Sequence, residues 1–150
     1  MEERRGGDRG GVREQALARP MRRVVGAILL GAVAPAFACD SPGAGYARLD
    51  SPGFTLWMAT QPAQPPVGAE FAVDAVLCAK GQAKAESLRF DAWMPAHRHG
   101  MNSRPSVEAL GDGRWRAEGF LFHMPGRWQF TVEVDTAAGR EHLTRDMDID

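Results

Sequence analysis

The sequence after residue 51 predicts an all-β, antiparallel sandwich of about seven short strands. Apolar and polar residues alternate with a period of two in successive segments, which is the pattern of strands that have one buried face. Clusters of Gly, Pro, Asp and Ser separate these segments at the roughly 8–12-residue spacing typical of a sandwich. Because no helical period of comparable quality occurs in this part of the chain, we expect two packed sheets.

Each predicted strand ends at a residue or short sequence that cannot continue it. A Pro-rich stretch that begins at Gln61 interrupts the first strand, and Pro95 stops the third. Gly111-Asp112-Gly113 closes the fourth strand with a hairpin signal, and Pro125-Gly126 ends the fifth. The predicted strands are residues 54–59, 71–78, 88–94, 106–110, 115–121, 128–134 and a last one around 142–147.

The segment before the sandwich has the features of an export signal. Met21 is followed by two arginines, an apolar run and the small-residue sequence Ala36-Phe37-Ala38, so residues 21–38 are interpreted as a signal peptide. The apolar run is shorter than the roughly 20 residues that a spanning helix needs. A membrane anchor or a buried helix is the alternative.

The rest of the chain divides around this signal. Residues 1–20 are rich in charge and glycine and are interpreted as a disordered, over-long gene start. Residues 39–51 contain Gly, Pro and Ser and are predicted to be a flexible tether. Residues 52–150 then form the folded domain.

Cys39 follows the small-residue site directly, at the position where a lipoprotein is cleaved and acylated. We therefore favour lipidation of Cys39, although Ala36 stands where lipoprotein signals more often carry Leu. The alternative is cleavage after Ala38 and a Cys39–Cys78 disulfide, which an oxidising compartment permits. Either outcome predicts a protein on the periplasmic side of the inner membrane, lipid-anchored or soluble.

Charge and motifs exclude several classes of function. Residues 39–150 carry 11 Lys and Arg against 15 Asp and Glu, a net charge of −4, and have no basic stripe for nucleic acid. No Gly-x-Ser-x-Gly sequence occurs and no Cys lies near a His, so we expect no enzyme. A blue-copper site is also excluded, because Cys78 lacks the nearby His and Met that such a site requires.

Histidine and methionine are concentrated in two predicted turns. The spacing of His97 and His99 places both rings on one side of an extended segment, and Gly100 allows Met101 to turn toward the same volume. Imidazole and thioether together favour copper, whereas zinc usually adds Cys or carboxylate. If the turn after the fifth predicted strand lies at the same end, the sequence predicts a copper site with the ligands His97, His99, Met101, His123 and Met124.

Other interpretations of these side chains stay open. Histidines in turns commonly hydrogen-bond to the backbone, and methionines such as Met94 commonly pack in the core. The second hypothesis is therefore a lipid-anchored interaction module without metal. In that case Trp93 and Arg98 would contact a membrane or periplasmic protein, since Trp and Arg dominate interface energetics.

The sequences WMPAHRHGMN (residues 93–102), GDGRW (111–115) and FHMPGRW (122–128) resemble those of YtkA-like domain proteins, which are related to FixH-like proteins. The resemblance covers roughly residues 52–149. It implies an immunoglobulin-like fold, an exported or membrane-attached protein, and a role in copper handling or respiratory oxidase assembly. The family has no firmly assigned catalytic residues, so the resemblance extends only to the five candidate ligands. The spacing from Met101 to His123 is also partly similar to that of periplasmic His/Met-rich copper chaperones.

Overall fold

The structure is a computed structural model and describes residues 39–150, which form nine strands. The signal peptide predicted over residues 21–38 and the segment 1–20 lie outside the described residues. The strands are β1 (Ala47–Asp50), β2 (Phe54–Gln61), β3 (Glu70–Ala79), β4 (Ser87–Met94), β5 (His99–Gly100), β6 (Ser106–Gly111), β7 (Arg114–Leu121), β8 (Gly126–Thr136) and β9 (Gly139–Ile149).

The strands form two sheets, as the sequence predicts for a sandwich. The first sheet has the order β1-β2-β3-β7-β6 and the second has the order β5-β4-β8-β9. All strand pairs in both sheets are antiparallel. The predicted all-β fold class is therefore confirmed, and each of the seven predicted strands is present.

The alternation of side chains along the strands accounts for the core between the sheets. In β4 every second residue from Leu88 to Met94 is buried, and the residues between them are exposed. The inward-facing residues of β8 begin with Trp128 and Phe130, both fully buried. Phe71 and Phe120 of the first sheet, and Phe122 just after β7, pack on these rings, with centroid separations from 4.4 to 6.4 Å. Each buried aromatic side chain of this kind stabilises the fold by roughly 1.5–3 kcal/mol.

The structure corrects the prediction of a flexible tether over residues 39–51. The strand β1 lies inside that segment and pairs with β2, with Leu49 opposite Leu56. Leu49 is only 6% exposed because it alternates with charged neighbours and faces the core. The folded domain thus begins before residue 52.

A disulfide joins Cys39 to Cys78 of β3, with 5.8 Å between their Cα atoms. The carbonyl of Cys39 also accepts a hydrogen bond of 3.2 Å from Trp57 Nε1. A sulfur in a disulfide cannot carry a lipid, so the lipidation that the sequence favours at Cys39 is incompatible with this bond. The structure contains the alternative, the Cys39–Cys78 pair. Within residues 39–150, no helix is long and apolar enough to cross a membrane.

Candidate metal-binding site

The loop after β4 folds back tightly on the strand that it leaves. The backbone N–H groups of His97 and Arg98 both donate to the carbonyl of Met94, at 3.2 and 2.9 Å. Arg98 has a φ of 54°, a left-handed conformation that reverses the chain. The N–H of Met101 then donates to the carbonyl of Ala92 at 3.2 Å, so β5 returns antiparallel along the end of β4.

The second turn follows β7 and is held from both sides. The carbonyl of Phe122 accepts a 2.7 Å hydrogen bond from the N–H of Gly68, and Phe122 is itself fully buried. The carbonyl of Met124 accepts a 3.1 Å hydrogen bond from Trp128 Nε1. These bonds place His123 between two fixed carbonyls, at the end of the sandwich where β4 also ends.

The two turns bring three imidazoles together, as the sequence predicts. The ring centroids of His99 and His123 are 4.9 Å apart, and those of His97 and His99 are 5.7 Å apart. His99 is half-buried between two exposed partners. The close pair is thus formed by residues that are 24 positions apart in the chain, His99 in β5 and His123 in the turn between β7 and β8.

Trp128 forms the floor beneath this pair. Its ring centroid lies 5.8 Å from that of His99 and 5.5 Å from that of His123, with both imidazoles steeply inclined to the indole. One face of the indole stacks on Phe122 at 4.4 Å. Because Trp128 is fully buried, the two imidazoles rest on a rigid part of the core.

The orientation of His99 is also set by the backbone carbonyl of the next residue. Its Nδ1 lies 3.3 Å from the carbonyl oxygen of Gly100. A proton on Nδ1 satisfies this contact and leaves Nε2 as the nitrogen with a free lone pair, an arrangement common in metal-binding histidines.

The predicted thioether ligands border the same end of the core. Met101 and Met124 are half-buried and pack against the core cluster. Met101 follows His99 by two positions, so the two side chains leave the same face of the extended segment. His142, which was not predicted to be a ligand, lies 3.7 Å from Glu133 on the second sheet instead.

The donor set defines which ions fit. Within residues 39–150, no group of three or more His, Cys, Asp or Glu side chains is arranged to hold a metal ion. Both cysteines are bonded to each other, so no thiolate is available. The donors that the two turns bring to this end are imidazole nitrogens and methionine sulfurs, a combination that suits a soft ion such as Cu(I) better than zinc.

Sequence reasoning missed two features near this site. The packing of Trp128 beneath the two imidazoles could not be predicted, because a buried Trp in an alternating strand has the same sequence pattern as any other core residue. A surface groove of about 460 Å³ along the outer side of β4 was also missed; its wall includes Trp93, Arg104 and Pro105. Trp93 is 40% exposed there, whereas Met94 beside it is buried.

Comparisons with known proteins agree with this architecture. No curated protein matches the chain. A crystal structure of a DUF4426 family protein from Pseudomonas aeruginosa PAO1 is similar in fold, with a TM-score of 0.50 and 14% sequence identity over 70% of this chain and 94% of that chain. The YtkA-like family model matches residues 58–133, which is more than half of the 150 residues and includes both histidine turns. The chain therefore belongs to the YtkA-like family.

Proposed function

We propose that this protein is an exported copper-binding β-sandwich, which holds Cu(I) at His99 and His123 with thioether support from Met101 and Met124. The observation that carries the proposal is the 4.9 Å separation of the two imidazole rings, contributed by separate turns. Thioether side chains at the same edge of the core supply the soft ligands that Cu(I) prefers.

The exposure of the site suits transfer of the ion rather than permanent storage. His97 and His123 are exposed and only His99 is half-buried, so a partner's ligands can approach from the solvent side. The exposed ring of His97 lies on the solvent side of His99, and it serves as an outer ligand during entry or exit of the ion. Such exchange fits a role in copper handling or oxidase assembly.

Export to the periplasmic side of the membrane is part of the proposal. The signal-like segment at residues 21–38 supports it, and so does the Cys39–Cys78 disulfide, because disulfides persist mainly in oxidising compartments. The recipient of the ion is then a periplasmic or membrane protein.

A Cu(I) titration against a competing chelator tests the proposal. We expect the wild-type protein to bind one equivalent of Cu(I) and a His99→Ala/His123→Ala variant to lose that binding. His142→Ala is the matched control, since it removes an exposed histidine from β9 and should bind as the wild type does. Equally weak binding by the wild type and the double variant would refute a copper function.

The exposed Trp93 supports a second candidate function, an interaction module that binds no metal. Its indole borders the groove along β4 and is held by a 3.0 Å hydrogen bond from Nε1 to Gln129 Oε1. A large, partly exposed aromatic ring at a groove is a common interface anchor. Capture of a membrane partner that requires Trp93 and Arg98 but persists in a copper chelator would favour this function over the first.

A further inference from the structure

We propose that Met94, although it is a core residue by its pattern, is the buried thioether ligand of the copper site. This inference rests on the proposed function and adds a ligand that comes from a strand of the second sheet. Three observations support it: the register of β4 and β5, the reach of the Met94 side chain, and the burial of Met94.

The strand register places Met94 beside His99. These two residues are directly opposite each other in the antiparallel β4–β5 pair. Side chains of directly opposed residues leave the same face of the sheet, with Cβ atoms about 5 Å apart. Because Met94 faces the core, His99 leaves β5 on that face as well, at its outer edge.

The end of the Met94 side chain reaches the first residue of β8, which follows the turn that carries His123. A Cβ atom on Gly126 would lie only 2.7 Å from Met94 Cε, so the methyl group packs directly against the backbone of Gly126. The sulfur is one bond from that methyl group. The thioether thus ends beside Gly126, which follows His123 by three positions, on a strand residue that is paired with His99.

The burial of Met94 adds a chemical property that the loop methionines lack. Met94 is 2% exposed, whereas Met101 and Met124 are half-buried. A neutral sulfur in a dry position favours a monovalent ion, because burying a larger charge costs more desolvation free energy. A ligand on a strand is also held more rigidly than one on a loop. Met94 would thus bias the site toward Cu(I).

The experiment uses Ag(I) as a redox-inert substitute for Cu(I) and follows the methionine methyl groups by NMR. The variants are Met94→Leu and, as a matched control, Met58→Leu, which replaces a fully buried methionine of β2. Both changes nearly conserve side-chain volume, so both proteins should fold.

We expect Ag(I) to shift the Met94 methyl signal together with the ring signals of His99 and His123, and to leave the Met58 methyl signal in place. The Met94→Leu variant should bind Ag(I) about tenfold or more weakly than the wild type, while Met58→Leu should bind equally well. If Ag(I) shifts the signals of both histidines but not the Met94 methyl signal, this inference is overturned and the proposed function stands. The same holds if Met94→Leu binds Ag(I) as tightly as the wild type does. If Ag(I) shifts neither histidine in the wild type, the proposed function fails and this inference fails with it.

Discussion

The two ends of the sandwich are closed by different kinds of contact. At one end, called here the disulfide end, Cys39 is bonded to Cys78 near the end of β3. At the opposite end, the histidine end, β3 begins beside the end of β7, and the two turns described above bring His99 and His123 together. Each end thus joins the chain by contacts that are distant in sequence.

Hydrogen bonds and ion pairs between charged side chains stabilise the disulfide end. The carboxylate of Asp50 accepts hydrogen bonds from Arg48, Thr55 and Lys80, with distances between 2.8 and 3.1 Å. On the neighbouring edge, Glu141 accepts a 2.9 Å hydrogen bond from the N–H of Gly53 and connects the two sheets. The polar groups at this end are therefore occupied by one another.

The histidine end carries an exposed ion pair, Arg127 with Asp148, and is held mainly by ring packing and backbone hydrogen bonds. In the ion pairs described for residues 39–150, His142 takes part, whereas His97, His99 and His123 do not. Within the described part of the chain, their nitrogens therefore form no ion pair with a carboxylate. The comparison teaches that this fold can be held covalently and ionically at one end and present imidazole and thioether donors at the other.

The largest expected effect comes from breaking the disulfide end. Replacing both Cys39 and Cys78 by Ala should lower the free energy of unfolding by roughly 2–4 kcal/mol, because the bond closes a long loop in the unfolded chain. Urea denaturation measures this loss, and the wild type in reductant should match the variant. The comparison predicts that Ag(I) binding at the histidine end survives in the folded variant.

The same bond can be checked directly on the processed protein. Mass spectrometry of the N-terminal peptide should find Cys39 linked to Cys78 and without an acyl group. An acylated Cys39 would contradict the structure at this position and restore the sequence-based prediction of a lipid anchor.

A smaller effect is expected from Gly126→Ala at the histidine end. Gly126 has a φ of +127°, and an added Cβ would lie 2.7 Å from Met94 Cε. We expect the clash to add about 1 kcal/mol to the loss from backbone strain, because Met94 Cε is the end of a flexible side chain and can shift. Gly139→Ala is the matched control, because its φ is +133° and nothing lies within 4 Å of its added Cβ.

Thermal unfolding of both variants separates the clash from the strain. If Gly126→Ala and Gly139→Ala are destabilised equally, the contact between Met94 and the turn contributes nothing. A larger loss in Gly126→Ala that is relieved in the Gly126→Ala/Met94→Ala double variant would show that the two residues are coupled.

Much of this comparison could be predicted from the sequence, and the residues show why. The period-two alternation specifies which side chains of β4 and β8 are buried, so the sandwich and the position of both histidine turns follow from it. The strand β1 was missed because a four-residue edge strand with one buried residue, Leu49, carries too little alternation to distinguish it from a tether. The strand β5 was missed because two residues have no period at all.

The ligand environment was harder to predict than the fold. Cys39 can be lipidated or can form a disulfide, and the disulfide requires Cys78 to lie within bonding distance. Strand register determines that distance, and composition does not. The same holds for Met94, which its alternation assigns to the core. Only its pairing with His99 and its reach to Gly126 connect it with the site.

The smallest expected effect comes from the charges at the disulfide end. Hydrogen bonds from Arg48, then Lys80 and Thr55, hold the pKa of Asp50 well below its usual value. A carboxylate with a lowered folded-state pKa stabilises the protein above its unfolded pKa of about 3.9, and that contribution disappears as the pH falls toward the folded-state value. Asp50→Asn should therefore unfold at lower urea concentration than the wild type at pH 7, with the difference shrinking toward pH 3.

Asp40→Asn, at an exposed position, should match the wild type at both pH values. Because Asp50 is itself exposed, the difference at pH 7 should be well below that from the disulfide. A pH-independent difference would mean that the Asp50 side chain acts by its shape and neutral hydrogen bonds rather than by its charge.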